Sequence, residues 1–298
     1  MVIETKYLII GGSGSVGNLL ARRLSPDNHV SLTYRSTPIQ IDGCTTYKVD
    51  LNTSEVLEII GELRPDIVIH LAAPTSVDWH ETHRDEAYRV NVLTTRGIAE
   101  RCEAVGAKLI YVSTTFVFPT YPKIFVEEDI PAPLNFYGTT KLGGEIATRI
   151  NPNHIIVRTD QVYGWTAGSK KSFVETILRR ALLDQKIEVC EDWYNSPTYI
   201  EDLSESLIKL STEDRVGCFH ITGDSYLNRV EWAKLIMQIF DKDESLIVPI
   251  QSSKLKLPAE RPNVKVSNKK AIHELGVRLR GVKDGIESMK QRRPNDFA

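Results

Sequence analysis

A tyrosine and a lysine stand four residues apart in "NFYGTTKLGGE", residues 135–145. On a helix, positions i and i+4 share a face, so the Tyr137 phenol and the Lys141 amine can open into one space. A phenol is a general acid suited to the alkoxide that forms when hydride adds to a ketone. Free tyrosine titrates near 10, and a neighbouring ammonium and the positive charge of the spent hydride donor both favour phenolate and pull that value down. Lowering it by about three units takes roughly 4 kcal/mol of differential stabilisation. The carbonyl also needs a second hydrogen bond to hold it, and "STT" at 113–115 offers hydroxyls at the end of a predicted strand. Thr114 is the choice for that role, with Ser113 second.

Hydride chemistry requires a donor, and "GGSGSVG" at 11–17 follows the first apolar run. It reads as G-x-x-G-x-x-G through Gly11, Gly14 and Gly17, or as G-x-G-x-x-G starting at Gly12. Glycines there permit a tight turn and close approach to a pyrophosphate, and the helix that follows offers free N–H groups. Ser15 and Val16 complete the expected contact. The second strand ends in "TYRS", where Arg35 stands without an adjacent acid. An acid would bind a ribose 2′-hydroxyl, whereas an arginine accommodates a 2′-phosphate. NADP is therefore expected, with NAD as the alternative. Asp50 and Leu51 in "VDL", and Ala72 and Ala73 in "HLAAPT", end the third and fourth strands, at the carboxyl edge where such sheets hold ligands.

The elements that must position these groups are legible. Strands are predicted at 7–10, 29–35, 44–50, 66–73, 107–114 and 154–160, rich in Val, Ile and Leu as in a sheet covered on both faces. Between them "SVGNLLARRLS", "TSEVLEIIGELR" and "DEAYRVNVLTTRGIAERCEAVG" repeat apolar residues at helical spacing. Strand and helix in alternation predict an α/β fold with a doubly wound parallel sheet. After residue 160 the rhythm loosens, with helices near 171–184 and at "RVEWAKLIMQIF" and a strand at "CFHITG". The expected organisation is a dinucleotide-binding region over 1–160, with segments returning near 190–222. A smaller substrate lobe takes most of 161–298.

At 298 residues, 26% charged and with a net charge of −2, the chain gives no electrostatic reason to expect nucleic acid or an anionic membrane surface. No apolar run nears the ~20 residues that span a bilayer. "MVIETKYLIIGG" lacks the regions of a signal peptide, which points to the cytoplasm. Cys44, Cys102, Cys190 and Cys218 lack C-x-x-C spacing and read as small buried hydrophobes. His80 and His83 in "VDWHETHRDE" have i, i+3 spacing, but nothing in this chemistry demands a metal, so solvated histidines are expected. Trp165, after "VYG", is singled out weakly as a residue near the substrate pocket.

With these motifs the chain resembles the extended short-chain dehydrogenase/reductase family. The matching residues are the glycine loop, Asp50-Leu51, "LAA", Asn91 in "RVNV", "VST" and Tyr137-x-x-x-Lys141. Within that family "EEDIPAPLNFYGTTKLGGE", "VRTDQVYG", "SPTYIEDL" and "RPNVKVSNKKAIHELG" are most similar to dTDP-4-dehydrorhamnose reductases. The resemblance implies a Rossmann-like fold and reduction of a 4-keto-6-deoxy nucleotide sugar, dTDP-4-dehydrorhamnose to dTDP-L-rhamnose. Tyr137 would be the proton donor, Lys141 its activator and ribose anchor, and Thr114 the hydroxyl that orients the carbonyl. Arg261 in "ERPN" would approach the sugar nucleotide, and a homodimer would form through helices near 84–105 and 137–150. Two departures fall at the expected sugar pocket. Thr115 and Phe116 replace an acid and a tyrosine, and Gln161 stands where the subfamily has an aromatic residue. Another nucleotide-sugar reductase or epimerase therefore stays open. The chain equally resembles the regulatory beta subunit of methionine adenosyltransferase, which implies a role in binding NADP and a partner enzyme rather than catalysis.

Overall fold

The computed structural model describes residues 4–166 and 171–294. Seven strands form its main sheet: β1 (Lys6–Ile10), β2 (His29–Tyr34), β3 (Cys44–Lys48), β4 (Ile67–His70), β5 (Lys108–Thr114), β6 (His154–Thr159) and β7 (Gly217–His220). All six pairings are parallel, in the spatial order β7-β6-β5-β4-β1-β2-β3. Each of the six strands predicted before residue 160 is present, and "CFHITG" supplies β7. Their apolar runs are buried because helices cover both faces: β4 is buried at every position, and β1 at all but Lys6. The order reverses between β1 and β4, and a crevice opens there beyond the carboxyl ends. This is the expected doubly wound, Rossmann-like architecture.

Two apolar clusters fill the opposite faces of the sheet. One joins Ile9, Leu32 and Ile69 to Leu203, Leu207 and Phe219, and the other joins Leu8, Ile10 and Val68 to Ile60 and Ile98. A third cluster, around Tyr163, Ile177, Trp232, Ile236 and Met289, is built only from residues after 160. Val16 and Val162 pack against both this cluster and the first, so the cleft between them has apolar walls.

The helix predicted across "DEAYRVNVLTTRGIAERCEAVG" is divided in three. It runs as α-helix over Arg84–Tyr88, widens to a π-helical stretch over Arg89–Thr94, and returns to α-helix over Thr95–Val105. Such widenings concentrate at functional positions, and this one carries Asn91.

The helix Phe136–Thr148, which bears Tyr137 and Lys141, is held at its start from two directions. Asn135 caps it by accepting from Gly138 N (2.7 Å) and donates its amide to Glu260 O (2.8 Å). Glu81 accepts from Phe136 N (2.6 Å), satisfying another first-turn donor with a favourable charge.

Candidate active site

The cleft over the sheet's carboxyl edge has two continuous halves. One is lined by Gly11, Gly14, Arg35, Asp50, Leu51, Ala72 and Ala73, beside Thr33 and Val90. The other, about 420 Å³, is lined by Gly11, Gly14, Ser15, Val16, Gly17, Ser113, Tyr137 and Lys141, with Lys171 and Thr159 opposite. That volume is ordinary for a small-molecule site. Every residue expected to touch a dinucleotide lies in one half or the other.

Backbone geometry explains the glycines. Gly11 has φ +95°, and a Cβ there would lie 2.9 Å from Ala72 N. At Gly17 a Cβ would sit 2.5 Å from Gly11 O, so the helix Ser15–Leu24 can approach the loop only without a side chain. Gly11 N donates to Thr33 Oγ1 (3.1 Å) and Gly12 N to Thr33 O (2.8 Å), which anchors the loop to β2. The helix has no acid in its first turn, so its free N–H groups and dipole are left for an anion. This cradle fits the pyrophosphate of a nicotinamide dinucleotide.

Beyond the loop, Asn52 first and the Arg35 charge in addition hold the Asp50 carboxyl below its usual range. Arg35 itself is exposed at the cleft's outer end.

Tyr137 and Lys141 share the inner half, as the i, i+4 spacing implies. The Lys141 ammonium donates to Val112 O (2.8 Å) and lies 4.1 Å from the Tyr111 ring centre. Burial pushes it down to about 7, against the nearby Glu145 carboxylate, which favours the charged form. The phenol is also perturbed by burial, but upward, to about 12, with the Thr114 side chain opposing as a hydrogen-bond partner. Thr114 Oγ1 accepts from Phe116 N (3.2 Å), which leaves its proton for an oxygen in the site.

Burial is the first cause at both groups. It moves them in opposite directions, the ammonium down and the phenol up. Ser113, the second choice beside Thr114, instead donates to Glu145 (2.6 Å), and Glu145 is clasped by Arg158 at 2.7 and 2.9 Å in a buried ion pair.

One correction concerns the histidines. His80 is fully buried, and its ring meets that of Tyr137 edge-on with centroids 4.9 Å apart. Its Nδ1 faces Ser76 O (2.7 Å), so Nδ1 carries the proton and Nε2 accepts from Asn91 Nδ2 (3.1 Å). Asn91 also donates to Thr140 (3.0 Å), tying the π-helical stretch to the Tyr137 helix. The pattern "RVNV" marks Asn91, but no local spacing foretells that His80 packs beside it. His83 is exposed and stacks on Trp79. Trp165 donates to Met289 O (2.8 Å) and packs on Phe240, inside the C-terminal cluster.

Beside Tyr137, Phe116 crosses its ring at 6.3 Å and leads into a second pocket with Gln161, Trp193, Asn195, Arg229 and Arg261. Both departures at Phe116 and Gln161 thus sit on that wall. Gln161 has φ +29°, a strained value for a non-glycine residue. Arg229, Asn195 and the buried Asp160 behind them escaped sequence reading because they come from three separate segments.

Known proteins bear on this site. Over residues 5–293 the chain matches the family described as RmlD substrate binding domain. It is 32% identical to the spore coat polysaccharide biosynthesis protein SpsK of Bacillus subtilis (strain 168), over 97% of this chain and 98% of that protein. The dTDP-4-dehydrorhamnose reductase of Escherichia coli (strain K12) is also 32% identical, over 86% and 87% respectively. The methionine adenosyltransferase 2 subunit beta of Pongo abelii is 28% identical over 94% of this chain and 87% of its own. Among solved structures, the dTDP-4-dehydrorhamnose reductase of Bacillus anthracis, in complex with NADP, superimposes with a TM-score of 0.86. It is 28% identical and covers 97% of this chain and 100% of that one. The nicotinamide-dependent oxidoreductase expected from Tyr137, Lys141 and the glycine loop is upheld. No helix among the described residues is long and apolar enough to cross a membrane. By its match over nearly its full length and its likeness to these proteins, the chain belongs to the RmlD substrate binding domain family.

Proposed function

We propose that this chain uses NADPH to reduce dTDP-4-dehydrorhamnose, a 4-keto-6-deoxy nucleotide sugar, to dTDP-L-rhamnose, with Tyr137 as proton donor. The observation that carries this reading is the meeting of Tyr137, Thr114 and Lys141 beside a dinucleotide-shaped cradle, next to a polar pocket. The relatives named as reductases, and the NADP named with one of them, support the choice of substrate and cofactor.

When bound, the reduced nicotinamide supplies hydride; the protein's own groups do the rest. Thr114 donates a hydrogen bond that orients the carbonyl oxygen, and the Tyr137 phenol gives that oxygen its proton. A phenol near 12 remains protonated at neutral pH, yet it is still far more acidic than an alcohol, whose acidity lies near that of water at about 15.7. Transfer to the alkoxide is therefore downhill without prior activation. Lys141, anchored on Val112 O, holds the ribose side of the cleft and restores the phenol's proton. Arg35 at the outer end takes the 2′-phosphate. Exposed Tyr88, Leu93 and Ile146, on the helices near 84–105 and 137–150, supply the apolar face for a homodimer.

The test is NADPH oxidation by the purified chain with dTDP-4-keto-6-deoxy-L-mannose. Turnover that Tyr137→Phe abolishes supports the reductase. Tight NADP binding with no turnover on any nucleotide-sugar ketone favours a binding subunit, the reading that the relatives named methionine adenosyltransferase 2 subunit beta keep open.

A further inference from the structure

The pocket beside Tyr137 holds two arginines of different standing. Arg261 is neutralised: its fork closes on Asp78 at 3.1 and 2.5 Å and it donates a third bond to Ala259 O (2.6 Å). Asp78 is held below its usual range by that contact. Arg229 has no such partner. It opens the helix Arg229–Ile239, whose start is fixed by the reciprocal Asn228–Glu231 cap. Its guanidinium lies between Phe173 and Trp193, 5.3 and 5.1 Å from their ring centres. Its Nε donates to Asn195 Oδ1 (3.2 Å). Among the described residues it forms no ion pair, and its two terminal nitrogens make no hydrogen bond.

A desolvated guanidinium with four free N–H groups in a fixed fork seeks an oxyanion. The nearest acid is withheld from it. Asp160, buried, accepts from Ser196 N (2.8 Å) and from the Asn195 amide (3.3 and 3.4 Å). Asn195 thus stands between acid and base and sets the fork's direction. We infer that Arg229, rather than Arg261, receives an oxyanion of the substrate: a phosphate of the nucleotide diphosphate, or a carboxylate carried by the sugar. The inference rests on the nucleotide-sugar reading above. Asp160 and Asn195 act as positioning residues through Arg229.

Calorimetric titration of the NADPH-loaded protein with dTDP, UDP-glucose and UDP-glucuronic acid tests it. If Arg229→Gln weakens dTDP by about tenfold or more, with NADPH affinity unchanged, the oxyanion is the diphosphate. If dTDP holds but a wild-type preference for UDP-glucuronic acid over UDP-glucose disappears, it is a sugar carboxylate, which dTDP-4-dehydrorhamnose lacks, and that outcome overturns the substrate reading above while leaving this inference standing. Arg229→Lys keeps the charge and loses the fork; it is expected to weaken the same ligand several-fold while still binding NADPH, and it decides the matter should the glutamine variant fail to fold. The inference is overturned if neither ligand responds, if the loss follows Arg261→Gln alone, or if wild type binds none of the three. Wild-type binding of dTDP that depends on Arg229, without turnover of the ketone, would instead overturn the reductase reading and leave this one standing.

Discussion

The imidazole of His80 meets the phenol ring of Tyr137 edge-on, at 4.9 Å and 69° between planes. His80 is itself fixed by Ser76 O and Asn91, so the phenol leans on a ring that has no freedom to turn. His80→Ala is expected to lower kcat up to about tenfold by loosening Tyr137, with little change in NADPH affinity. His80→Phe keeps the edge contact and should recover part of the loss. Steady-state kinetics on both variants separates ring support from proton chemistry.

Tyr137→Phe removes the proton and leaves the packing. A fall in kcat of about 10²–10⁴ is expected, with NADPH binding by fluorescence within a few-fold of wild type. Retention of turnover would assign the proton to another group.

Burial pushes Lys141 down to about 7 in the folded chain, from 10.5 as its ordinary value. Between those values the unfolded chain binds the extra proton, so this residue makes stability rise with pH across that window, by at most about 1.4 kcal/mol per pH unit. Below pH 7 the burial cost of the ammonium is borne in full. Lys141→Met should flatten that rise and stabilise the cofactor-free protein most at the acid end, as read from urea midpoints at pH 6, 7.5 and 9.

The Glu145–Arg158 pair is buried on both sides, with side-chain exposures of 1% and 2%. Removing one partner strands the other charge, so Glu145→Gln is expected to cost about 3–5 kcal/mol of unfolding free energy. Chemical denaturation measures it. A paired replacement of both residues by apolar ones of similar volume should cost much less.

Arg35 lies at the end of β2 facing the cleft. Its replacement by alanine is expected to reduce the preference for NADPH over NADH by about tenfold, chiefly through a higher KM for NADPH. An unaltered ratio would remove Arg35 from cofactor choice.

The sheet was legible because its central strands are short runs of apolar residues while the edge strand Cys44–Lys48 carries β-branched and aromatic ones, and the cradle because glycine types at fixed offsets follow from backbone geometry. The Tyr137–Lys141 pair was legible for the same reason, being four residues apart on one helix. Its electrostatics were not: how far Lys141 is desolvated depends on Tyr111 and Val112, from another element. His80 was misjudged because acids surround it in sequence while Ser76, Asn91 and Tyr137 surround it in space. Asp160, Asn195 and Arg229 are separated by 35 and 34 residues, and no local rule joins them.

Arg261 and Asp78 are 183 residues apart in the chain. A polypeptide leaving the ribosome has its first six main-sheet strands by residue 159, long before Arg261 is made. The sheet face behind the glycine cradle is filled by Leu203, Leu207 and Phe219, so in synthesis from the N-terminus six strands emerge before the residues that back them. The backing of the cradle and the closing contact of Arg261 with Asp78 thus both belong to the late part of synthesis.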